Sequence, residues 1–78
     1  MTYIGEKVNV LASFTGGIRP IKLKWSGKLV TVKEVTYTWK SMEGQASVHH
    51  FSVTDGTSLY ELSFHTQSLV WRLENLEA

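Results

Sequence analysis

Hydrophobic and polar positions alternate along almost the whole chain, which predicts β-strands wherever the alternation holds. Val8, Val10, Ala12 and Phe14 share one face of a first strand. Gly16-Gly17-Ile18-Arg19-Pro20 interrupts it, with glycines suited to unusual dihedrals and proline at a strand entrance. Ile21, Leu23 and Trp25 then alternate with Lys22, Lys24 and Ser26 in a second strand. Gly27-Lys28 reads as a two-residue hairpin turn with glycine first. A third strand opens with Val30 and Val32 inward and then changes phase, because Val35, Tyr37 and Trp39 carry the apolar face onward. A one-residue shift near Lys33-Glu34 is the mark of a β-bulge, which lets a small sheet bend.

Ser41-Met42-Glu43-Gly44-Gln45 forms the next loop, and a second hairpin follows. Its two β-prone runs, from Ala46 to His65, flank Asp55-Gly56, the strongest short-range hairpin signal in the chain. With Asp55 and Gly56 as the only loop residues, Phe51 faces Tyr60, His49 faces Leu62 and His50 faces Glu61. This register keeps Phe51, Val53, Tyr60, Leu62 and Phe64 on one face, whereas a three-residue loop would split them. Leu69, Trp71 and Leu73 mark a last strand. Short connections favour sequential antiparallel neighbours. The expected fold is all-β: a six-stranded antiparallel meander, closed or half-closed into a small β-barrel that limits exposed edges.

The 78 residues make one domain, with no linker and no internal repeat. Cysteine is absent, so neither a disulfide nor a thiolate zinc site braces the fold. Stability rests on a core drawn from the 42% hydrophobic content, including three Trp, three Tyr and three Phe. No apolar run approaches the ~18 residues of a membrane span, and no basic-then-apolar signal region opens the chain. The expectation is a soluble, cytoplasmic protein without a membrane role. The net charge of +1 hides an asymmetry: residues 1–40 carry seven Lys or Arg against two acids, and residues 41–78 one Arg against five acids. Such a split marks either an anion-binding face or two halves that neutralise each other.

No catalytic signature stands out. His49 and His50 are adjacent on a strand and point to opposite faces, and His65 lies roughly 13 Å along from the expected His50–Glu61 pair. Three diverging histidines do not make a zinc site. His50 with Glu61 would be an acid–base pair only if set in a pocket. Gly16-Gly17 has no following helix to make it a phosphate loop. The chain is therefore expected to be non-enzymatic, with no cofactor and no metal. The stronger candidate is the basic hairpin: Arg19, Lys22, Lys24, Lys28 and Lys33 are candidate contacts to an anion or a nucleic acid. The expected register places Lys22 opposite Lys33, a repulsion that a phosphate backbone would relieve. Single-strand binding wants aromatics on the basic face, and here Trp25 points away from the lysines. The aromatic side chains, Tyr37 and Trp39 among them, are expected mostly in the core. Trp39, beside the loop, is also the candidate aromatic for a partner groove. The leading expectation is an accessory module that docks on another protein, as a monomer or as a weak homodimer through an edge strand. Weak, sequence-nonspecific nucleic-acid binding through residues 19–33 is the alternative.

Gly16-Gly17-x-Arg19-Pro20, Trp25-x-Gly27, Val32-x-x-Val35, Trp39, Phe51-x-Val53, Tyr60-Glu61-Leu62 and Trp71-x-Leu73 together resemble a family of small bacterial all-β domains of unknown function. Its members occur alone, or attached to or encoded beside Y-family translesion DNA polymerases. The resemblance spans residues 8–74. It implies a fold rather than an activity, since its motifs are mostly turn and core residues.

Overall fold

The computed structural model describes residues 2–78. It contains seven strands: β1 (Thr2–Ser13), β2 (Arg19–Trp25), β3 (Lys28–Thr31), β4 (Glu34–Glu43), β5 (Ala46–Thr54), β6 (Leu59–His65) and β7 (Val70–Glu77). All pairings are antiparallel, in one sheet of order β3-β2-β1-β7-β6-β5-β4. The expected third strand is two strands. Val32 donates its amide to Ile21 O at 2.9 Å, and Lys33 donates to Thr54 O at 2.8 Å. Successive amides thus serve opposite ends of the sheet, and the chain turns the corner between them. The phase change seen near Lys33-Glu34 is this corner, followed by a true bulge between Val35 and Tyr37. Covalent continuity joins the two edges, but hydrogen bonds do not close the sheet into a barrel.

The inner face carries the core: Leu23 and Val30 from β2 and β3 meet Phe51, Val53, Tyr60, Leu62, Phe64, Trp71 and Leu73. Val53, Leu62 and Leu73 are wholly buried. Alternation assigned these faces correctly, because each hairpin's register is displaced by an even number of residues. The pairs themselves differ from expectation. Phe51 faces Leu62, and His50 faces Ser63 rather than Glu61. The loop is Asp55–Ser58, four residues long. Its cause is the Asp55 carboxylate, which accepts hydrogen bonds from the Thr57 and Ser58 amides at 2.8 Å each and from Tyr60 Oη at 3.1 Å. These donors hold the Asp55 carboxyl below its ordinary pKa, the Ser58 and Thr57 amides most of all. Burial, with help from Asp55, raises that of Tyr60.

In the other hairpin the turn is Ser26-Gly27, with φ of 52° and 76°. Two left-handed residues match the twist of the flanking strands. Trp25 then faces Lys28, and Lys22 faces Thr31, so the expected Lys22–Lys33 opposition does not occur.

Candidate functional site

The bulge before Tyr37 reverses the alternation of β4. Val35 still faces Val53, but Tyr37 faces Ser52 and Trp39 faces His50, on the outer side of the sheet. The expectation of a core position therefore fails for both aromatics. Tyr37 is 67% exposed and Trp39 is half-buried. They form a ledge: the Tyr37 and Trp39 rings lie 5.6 Å apart, and Trp39 stacks on His50 at 5.0 Å and 5°. Trp39 thus stands where a partner could reach it.

β4 is the last strand of the sheet. Among the described residues, only β5 pairs with it. Ser47 O accepts from Thr66 N, and Thr54 O accepts from Lys33 N. Odd-numbered residues of β5 therefore bond toward β6 and even-numbered ones toward β4. Trp39, Ser41 and Glu43, opposite His50, Val48 and Ala46, spend their backbone groups on β5. Those of Thr38, Lys40 and Met42 point to the open side. This stretch holds neither proline nor bulge, and lysine appears once, so it carries few of the features that normally blunt an edge.

The outer face beside the ledge is polar. Ser41 Oγ and His50 Nε2 lie 2.7 Å apart, and Ser63 Oγ donates to Glu74 Oε2 at 2.7 Å. His65 Nε2 approaches Glu43 Oε2 at 3.6 Å. With Lys7 and Arg72 these groups surround a recess of about 390 Å3. The shift of register brings His65 within one diagonal of His50, ~7 Å rather than ~13 Å. A serine on a histidine is the start of a nucleophile–base pair, but the base needs a third group to orient it. His50 Nδ1 is buried and has no partner among the described residues. No cluster among the described residues has the makings of a metal site.

The basic candidates scatter. Arg19 lies opposite Ser13, Lys22 between Leu11 and Thr31, and Lys24 between Asn9 and Leu29. Lys28 is at the hairpin tip. Lys33 lies across Gly56, where an added Cβ would meet its Nζ at 3.1 Å, on the second hairpin rather than the first. Leu11 and Leu29, 60% and 66% exposed, interrupt the Lys22–Lys24 face. The open edge of β4 was not apparent in the sequence. The missed signal is Thr36: counting it as an extra residue would have moved Tyr37 and Trp39 outward.

Comparison with protein families, curated proteins and solved structures finds no match to this chain.

Proposed function

We propose that the chain is a non-enzymatic docking module that accepts an extended segment of another protein along β4. The observation that carries this reading is the open edge itself: the backbone groups of Thr38, Lys40 and Met42 lie beside an exposed aromatic ledge. Strand addition takes affinity from the backbone and selectivity from alternate side chains. Tyr37 and Trp39 supply the surface for every second residue of the guest. The incomplete Ser41–His50 arrangement, with nothing on Nδ1, speaks for structure over catalysis.

Selection of a random-peptide library on the immobilised protein tests this. Enriched peptides should alternate apolar and polar residues and should shift the amides of Thr38, Lys40 and Met42. Lys40→Pro deletes an outward-facing donor at a position where an edge strand tolerates proline, so it should abolish binding and keep the fold. Affinity should change little between low and moderate salt. DNA binding that shifts residues 19–33 and collapses with salt would replace this reading by the nucleic-acid one. Self-association without peptide binding would assign the edge to a second copy.

A further inference from the structure

The inner face of β4 and β5 changes character along its length. Phe51 and Val53 join the core, but Phe51 is opposite Thr38, and beyond that pair Lys40 lies directly opposite His49. Among the described residues no hydrogen bond or ion pair engages the Lys40 ammonium or the His49 ring. Together with Trp39, His50 and Phe51 these groups line a cleft of about 430 Å3 whose other wall is Gly17 and Ile18, between β1 and β2. Gly16 and Gly17 have φ of 72° and 140°, and a Cβ on Gly17 would meet nothing within 4 Å. At Gly17, therefore, no side chain intrudes on the space between this wall and β4.

The lining selects a ligand chemistry. Among the described residues no Asp or Glu borders the cleft, so no carboxylate there offsets the Lys40 charge. The Lys40 ammonium supplies a positive charge, while His49 and the Thr38 hydroxyl add hydrogen-bonding groups. Ile18 and Phe51 offer apolar contact. A single charge beside an apolar wall fits a monoanion with a compact body, and the volume lies in the range of small-molecule sites. We propose that this cleft binds a monocarboxylate borne on an apolar group, whether a free small acid or the C-terminal carboxylate of a chain ending in an apolar residue. The assignment does not require strand addition on β4.

The test is an amide-shift titration of the full chain with 3-phenylpropanoate and 3-phenylpropanamide, and with acetyl-Val-Leu-Phe as acid and as amide. Both acids should shift Ile18, Thr38, Lys40 and His49 in a saturable manner. Each amide should bind about tenfold more weakly, the effect of losing one charge-assisted contact. Lys40→Gln should produce the same loss for the acids and none for the amides, whereas Lys24→Gln on the outer face of β2 should change nothing. His49→Gln gives a second reading if Lys40→Gln perturbs the spectrum at large. Tighter binding of the peptide acid than of the small acid makes a chain end the source, and the reverse order makes it a free acid. Equal binding of acid and amide overturns the proposal, as do shifts centred elsewhere or no saturation up to about 10 mM. An amidated peptide that binds β4 as well as its acid would leave strand addition standing and remove the carboxylate site. Small-acid binding without peptide binding would do the opposite.

Discussion

β5 has two halves that differ in what lies across from them. From Phe51 to Thr54 the inner side chains are capped by β2 and β3, and Phe51 and Val53 are 4% and 0% exposed. From Ala46 to His50 the inner residues are Ser47 and His49, both half-buried, and His49 faces Lys40 on one side and Phe64 on the other. The cause is strand length. β3 has four residues and β4 has ten, so β3 reaches ~13 Å along a sheet whose edge strand runs ~33 Å. Beyond the reach of β3 the inner positions of β4 and β5 turn polar, and there lies the cleft that Gly17 and Ile18 wall on the other side.

The sharpest way to break this comparison is to remove apolar bulk from the closed half and polar character from the open half. Leu62→Ala leaves a cavity among wholly buried neighbours and should cost about 2–5 kcal/mol. Domains of this length hold roughly 4–12 kcal/mol in all, so urea denaturation should show a large drop in midpoint. His49→Leu should move stability by about 1 kcal/mol or less, since no hydrogen bond of that ring is lost and the site is only half-buried. A His49 variant as damaging as Leu62→Ala would mean that the two halves form one continuous core.

The all-β antiparallel class and most of the core were legible in the sequence because a side chain's face depends only on parity along the strand, whereas the seventh strand, the unclosed sheet and the outward Tyr37 and Trp39 were not. Phe51, Leu62 and Leu73 face inward whether the Asp55 loop holds two residues or four. Partners are another matter. His50 meets Ser63 because Asp55 gathers the Thr57 and Ser58 amides, an effect of loop hydrogen bonding that alternation does not encode. The outward placement of Trp39 hinges on Thr36 as an extra residue, a second phase change that the apparent alternation of Val35, Tyr37 and Trp39 conceals. The open edge depends on where β3 stops, and that depends on which sheet end Val32 and Lys33 choose for their amides. Lys22 and Lys24 were read correctly as outward-facing. Lys33 was grouped with them by nearness in sequence, and the corner carries it away.

An acid titration sharpens the closed end of the comparison, with a smaller effect. The Asp55 carboxyl is held below its ordinary pKa by the amides it accepts from, so the folded state binds fewer protons there than the unfolded chain. Its contribution is fully present above the unfolded pKa, near pH 4, and is lost as pH falls through the lowered folded value. Asp55→Asn should flatten the fall in stability below about pH 4 and leave neutral-pH spectra of β4 unchanged. The checking measurement is chemical denaturation of both proteins from pH 2 to pH 7. An unaltered slope in the variant would mean that the loop does not depend on an ionised Asp55.

An effect well below that of Leu62→Ala tests the register of the β2–β3 hairpin, which decides how far β3 reaches. Ser26 has φ of 52°, a region that asparagine and glycine occupy more readily than serine. Ser26→Asn should therefore stabilise by about 0.5 kcal/mol. Ser26→Val should destabilise by about 1 kcal/mol or more, because a β-branched side chain strains a left-handed backbone. The signs would reverse if Gly27-Lys28 were the turn. Ser26 would then be the final residue of β2, where valine suits a pleated strand and asparagine does not. Thermal unfolding of the two variants therefore separates the registers by sign. A stabilising valine would also lengthen β2 by a residue and set Lys24 opposite Thr31 and Lys22 opposite Lys33.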